Sequence, residues 1–202
     1  MIEFFLRAKH WHIFLLILGL PVIFQLYYLF ELFVQGNYQV QTASENIQDY
    51  LWYIPLLCLA AVLGQLAWNW SVATGLQEKI PAELRLNLRR FNWVTGLVVA
   101  FNVWFFTIFL ADVFAPPDQQ LVLASNSRWL WYFVPLTSLG TLGLIYLQYI
   151  TAKSIALARK QGRVRIGSWL GYFLLQVVFL LGIWFLQPRV QKAAASNDQL
   201  IL

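Results

Sequence analysis

Charge is what this chain has least of. Asp, Glu, Lys and Arg together make up 11% of its 202 residues, against about 25% in soluble globular domains. The charges are missing from long apolar runs, which leaves no room for a sizeable soluble domain beside them. Cysteine is nearly absent as well. Cys58 stands alone in an apolar run and has no intrachain disulfide partner. Only two histidines occur, His10 and His12. Being two apart, they face different sides of a helix and do not make a metal or haem site without other ligands. CxxC, HExxH, GxSxG and P-loop patterns do not occur. No catalytic residue, cofactor site or metal ligand is therefore assigned, no cofactor is expected, and an enzyme is the less favoured class.

Apolar residues fill the space that charge has left. The chain is 60% hydrophobic and 17% aromatic, with a mean hydropathy of +0.62. Five runs, at 11–34, 50–73, 93–111, 129–150 and 169–186, have the roughly 20 residues that cross about 30 Å of hydrocarbon as a helix. Backbone groups in lipid must be satisfied within their own segment, which selects helices, and the alternation of a β-barrel is absent. The expected fold is an all-α integral membrane protein, a bundle of five transmembrane helices. The first run is too long for a secretory signal and no small-x-small cleavage site follows it, so it reads as a retained span.

Three of the runs begin alike: Arg7…Trp11, Arg89…Trp93 and Arg165…Trp169. Arg at the headgroups and Trp at the interface form an anchor. The loops alternate in basic charge. The first flank holds Arg7 and Lys9, the 77–91 loop Lys79, Arg85, Arg89 and Arg90, and the 152–166 loop Lys153, Arg159, Lys160, Arg163 and Arg165. The 35–49 loop has no Lys or Arg, the 113–128 loop only Arg128, and the tail Arg189 and Lys192. Positive loops stay inside, which predicts a cytoplasmic N-terminus and a periplasmic C-terminus. Arg189 and Lys192 would also suit a cytoplasmic end if the fifth segment were re-entrant. The net charge of +5 is explained by this loop bias, so no nucleic acid partner is expected.

A repeat is visible at an offset of 79. Leu51-Trp52-Tyr53 recurs as Leu130-Trp131-Tyr132, Gly64 falls on Gly143 and Ala73 on Ala152, and Pro55 and Pro135 follow the two motifs. Spans 2–3 and 4–5 thus read as two copies of a helical hairpin in parallel orientation. Chance matching in a chain rich in Trp and Leu is the competing reading. After the second run Pro81 is placed to open a short helix. After the fourth, Gly162 is a helix C-terminal signal.

Ten tryptophans suggest a ligand site, but an interfacial belt accounts for nearly all: Trp11, Trp68, Trp70, Trp93 and Trp169 inside, Trp52, Trp129, Trp131 and Trp184 outside. Intramembrane polar residues are costlier and so more informative. Asn69, Asn102, Gln148 and Gln176 are candidates for a polar pathway, with hydrogen bonding between helices as the plainer alternative. Gln25 and Gln65 belong to the same class. Glu31, Asp112 and Gln187 lie 20, 19 and 18 residues after their anchoring Trp, at one expected depth, as an outer vestibule or as carboxylates snorkelling to water. Arg85, Arg89, Arg90, Lys153, Arg159, Lys160, Arg163 and Arg165 are candidate contacts for lipid headgroups or a cytoplasmic protein. Gly140, Gly143, Ala60 and Gly64 offer small surfaces for helix packing.

Two resemblances add to this. Gly64-Gln65-Leu66-Ala67-Trp68-Asn69-Trp70 is similar to the GQLALNW stretch in the third helix of the translocator protein (TSPO) family, five-helix membrane proteins that bind porphyrins and sterols. Here the stretch lies in the second run, and the family's other motifs are missing. The two ends, Arg7-Ala8-Lys9-His10-Trp11 through Pro21 and Gly182-Ile183-Trp184-Phe185-Leu186-Gln187-Pro188-Arg189-Val190, resemble small multi-span inner-membrane proteins of Bacteroidetes-type bacteria, which implies a bacterial inner membrane. The function expected from all this is a non-enzymatic subunit or scaffold of a membrane complex, paired with lipid, with itself or another membrane chain, and with a cytoplasmic partner. A small-molecule or ion carrier or pore is the alternative. A lipid-active enzyme would need Glu31 and Asp112 to converge.

Overall fold

The structure, a computed structural model, describes residues 2–35, 53–114 and 127–195. Among the described residues every regular element is helical. The chain opens with a short helix, α1 (Ile2–Arg7), and bends at Ala8-Lys9 into α2 (His10–Phe14). A π-helical turn over Leu15–Gly19 leads into α3 (Leu20–Gln35). Pro21 explains the widened turn. Its nitrogen has no hydrogen to give to the Ile17 carbonyl four residues back, and its ring crowds that carbonyl.

α4 (Tyr53–Gly75) runs antiparallel to this first segment. A Cβ at Gly75 would come within 2.7 Å of Ile2 and Leu6, and one at Gly64 within 3.0 Å of Ile17. Two 3-10 turns, Gln77–Lys79 and Ala82–Leu84, carry the chain round to α5 (Leu88–Phe114), with Pro81 directly before the second. Asn87 caps α5: its side-chain oxygen accepts from the Arg89 N–H at 3.0 Å. α6 (Ser127–Lys160) is 34 residues long, about 51 Å at the usual helical rise and well beyond the hydrocarbon thickness of a bilayer. It ends one residue earlier than Gly162 suggests, because the left-handed residue is Gln161, with φ 50.

α4 is the central element. One buried cluster joins it to α5 and α6 through Leu66, Ala73, Phe91, Val98 and Leu147. There Gly140 meets Phe101 and Gly143 meets Val98, each with 2.5 Å to an added Cβ, so the two helices touch where side chains are missing. The larger cluster, including Ile13, Trp68, Val72, Ile155, Ile183 and Leu186, lies where α4 meets α2, α6 and the C-terminal helices. Two segments, Leu56–Lys79 and Leu88–Asp112, are long and apolar enough to cross a membrane. The second keeps only 6% of its most apolar stretch buried, against 33% for the first. α5 therefore presents most of its apolar surface outward.

The fifth apolar run departs from expectation. Instead of one helix over 169–186 it forms two, α7 (Ile166–Val177) and α8 (Phe179–Ala195), broken at Val178. The chain folds back there. The Arg189 guanidinium lies 5.5 Å from the Tyr172 ring centre, whereas 17 residues of continuous helix would span about 25 Å. Gly182 makes the bend, since a Cβ at that position would fall 1.6 Å from the Leu175 carbonyl oxygen.

Candidate functional site

α1 is too short to hold itself together, and its last carbonyls have no helical donors. α8 supplies them. The Gln187 side-chain nitrogen donates to the Phe5 carbonyl at 2.7 Å and the Ala8 carbonyl at 2.8 Å, and its oxygen accepts the Trp68 indole N–H at 3.0 Å. Gln191 adds bonds to the Ala8 and Arg7 carbonyls at 2.9 and 3.2 Å. Trp184 packs its ring 4.5 Å from His10 and 5.8 Å from Phe14. The C-terminal helix thus lies against the N-terminal elbow.

This arrangement separates Gln187 from Asp112, two of the three residues expected to share one depth. Trp70 donates to Asn92 at 3.2 Å, which sets the level of Trp68 and Gln187 near the start of α5. Asp112, buried, lies 20 residues further along α5, about 30 Å away. Gln187 therefore belongs to the end of the bundle that holds Arg7, and Trp184 to the same end rather than to an outer belt. Trp68 is no belt residue either, being fully buried. The side chains of Glu31, Gln25, Trp129 and Trp131, and all of Trp52, lie outside the described residues.

The same end gathers the basic loops. Gln161 donates to the Lys79 carbonyl at 2.7 Å and so joins the loop after α4 to the loop after α6. Gln77 reinforces the joint. It donates to the Ser154 hydroxyl at 3.3 Å and accepts the Leu86 N–H at 2.9 Å. Arg159 donates to the Tyr172 hydroxyl, whose ring also faces Arg189, and Lys160 donates to the Ser168 hydroxyl at 2.6 Å. Arg85, which donates to the Ile80 carbonyl, and Arg89, Arg90, Arg163 and Arg165 are exposed around this joint. Lys153 is half-buried, its Nζ over the Tyr149 ring. Every Lys and Arg except Arg128, which starts α6 at the far end, belongs to this half of the bundle.

The four amides proposed for a pathway are not gathered at one level. Asn102 donates to the Val98 carbonyl of its own helix at 2.8 Å, and Asn69 to the Gln65 carbonyl at 3.1 Å. The Asn69 backbone carbonyl accepts from Thr151 at 3.3 Å, while Asn102 follows Phe101, which faces Gly140. Eleven residues of α6 separate those two levels, about 16 Å. Gln148 is half-buried on α6. Gln176 is fully buried on α7 with neither end of its amide paired, and the Asn69 side-chain oxygen is also unpaired. Among the described residues no three His, Cys, Asp or Glu side chains come together as a metal site.

Of the residues that organise this end, Gln191, Gln161 and Gln77 escaped sequence reasoning because a single glutamine carries no pattern, and Gln187 was singled out by its spacing but assigned to the opposite end. The one available signal was the basic tail, whose Arg189 and Lys192 suit the side on which the other basic loops stand. No family model, curated protein or solved structure matches this chain.

Proposed function

We propose that this chain is a multi-pass protein of a bacterial inner membrane and a non-enzymatic subunit or scaffold of a membrane complex. Its basic end would face the cytoplasm and meet a partner. The observation that carries this reading is the joint made by Gln161 and Lys79, which sets two arginine-rich loops side by side as one exposed surface. The outward apolar face of α5 suits lipid or a second membrane chain, since a patch of that kind is unstable in water. On this reading α7–α8 is a re-entrant hairpin, four helical segments cross, and both termini are cytoplasmic. The repeat then pairs two out-and-in hairpins: Gly64 packs on Ile17 of the preceding segment as Gly143 packs on Val98.

The test is purification in mild detergent after crosslinking in cells. The expected result is an assembly larger than the monomer, which charge reversal at Arg89, Arg90, Arg163 and Arg165 dissociates without lowering the melting midpoint. A strictly monomeric protein with no captured partner would overturn the proposal. One observation favours a carrier or pore instead: the unpaired amide of Gln176, which a polar solute could satisfy. Solute flux through liposomes that Gln176→Leu abolishes would support that reading over the scaffold.

A further inference from the structure

We propose that the elbow between α1 and α2 binds the phosphodiester headgroup of an anionic membrane phospholipid. This rests on the membrane reading above and adds a discrete ligand site to it. A cleft of about 480 Å³ opens at the elbow, lined by Glu3, Phe4, Arg7, Ala8, Lys9 and His12, within the size range of small-ligand sites. The bend creates it. α1 stops at Arg7, and Lys9 is extended, with φ −67 and ψ 151, so the two cations border one hollow. The rear wall is fixed from behind, because Gln187 and Gln191 hold the carbonyls of Phe5, Arg7 and Ala8.

The chemistry of the lining selects the ligand. Arg7 and Lys9 are exposed, and neither is engaged in an ion pair with a described residue. With Glu3 they leave one net positive charge, which matches a phosphodiester better than a doubly charged phosphate monoester. Glu3 accepts hydrogen bonds from headgroup hydroxyls. The surroundings favour a lipid over a soluble phosphate. Phe4 is 56% exposed beside the cleft, Trp11 is 43% exposed with its ring 3.6 Å from that of His12, and Leu15 one turn further on is exposed too. Trp11 and Leu15 lie four residues apart on one helical face, a track for an acyl chain.

Native mass spectrometry of the full chain in detergent tests this, with phosphatidylglycerol, phosphatidylcholine and glycerol 3-phosphate as probes. One phosphatidylglycerol is expected to bind in preference to phosphatidylcholine. Removing both cations in the Arg7→Gln, Lys9→Gln double variant should weaken it about thirtyfold, while Arg128→Gln, at the far end of α6, leaves it unchanged. Equal phosphatidylglycerol binding by the double variant would overturn the site. Glycerol 3-phosphate bound as tightly as the lipid would overturn the lipid assignment. Should the double variant fail to fold, Phe4→Ser replaces it: weakened lipid binding supports the site and unchanged binding overturns it. Failure of the membrane reading looks different, since the chain would then remain soluble without detergent and retain no lipid at all.

Discussion

Trp68 donates its indole N–H to the side-chain oxygen of Gln187 at 3.0 Å, across 119 positions of sequence and with both side chains fully buried. The bond links the central helix to the returning C-terminal helix, and through the other end of the Gln187 amide to the α1 carbonyls. One glutamine thereby holds three elements together.

Gln187→Leu should be the most damaging polar-to-apolar change in the protein. It removes the acceptor of the Trp68 indole N–H and the side-chain donor to the Phe5 carbonyl, while Ala8 keeps its bond from Gln191, at a cost of about 2–4 kcal/mol. Trp68→Phe leaves only the Gln187 oxygen unpaired and should cost less, about 1–2 kcal/mol. Thermal unfolding in detergent gives the order, and a Gln187→Leu protein melting with the parent would refute the clamp.

Glycine substitutions should divide by position. Gly182→Ala drives a methyl into the Leu175 carbonyl, so the α7–α8 bend must open, at a cost of about 3 kcal/mol or more. Gly171 and Gly96 have nothing within 4 Å of an added Cβ, and there the same change should stabilise helix by about 0.5–1 kcal/mol. Matching melting points for Gly182→Ala and Gly171→Ala would show that the close approach is absent.

Gln176→Leu should raise the melting point, because the native amide is buried with both ends unpaired and an apolar side chain of similar size loses nothing. About 1–3 kcal/mol is at stake. A fall instead would reveal a polar partner for that amide, and would direct attention to the transport reading.

Gln161→Ala should loosen the joint between the basic loops while barely changing global stability, by about 0.5–1 kcal/mol for an exposed bond. The readout is limited trypsin digestion. Cleavage after Lys79 and Arg85 should accelerate several-fold, following the local opening free energy. An unchanged digestion rate would count against the joint.

Cysteine scanning reads the topology directly, since Cys58 is the sole native thiol. If the chain spans a membrane as proposed, single cysteines replacing Lys192, Arg85 and Arg163 in a Cys58→Ala background should be labelled from the same side. Labelling of the Lys192 position from the opposite side would refute the return of α8.

The helices of the first four apolar runs were legible in the sequence because a long uncharged stretch between polar flanks has few other ways to satisfy its backbone. Pro81 before its turn, the packing glycines Gly64, Gly140 and Gly143, and the basic loops could be read from local chemistry. The fifth run could not. Residues 166–186 are apolar except for Ser168 and Gln176, no proline marks Val178, and nothing local distinguishes one long helix from two short ones. Gln187 counted there as an outer residue by simple spacing, and Trp68 and Trp184 as belt residues by type.

What the sequence determined by itself was therefore the all-helical class, the position of most helices and the segregation of cations into particular loops, since each follows from properties of adjacent residues. Only the tertiary structure decided where the C-terminal run goes. Its bend depends on Gly182 meeting the Leu175 carbonyl, and its return on Gln187 reaching carbonyls 182 and 179 positions away. Contacts of that separation leave no periodic trace in a single chain, because each is made once, by side chains whose partners exist only after the bundle has formed.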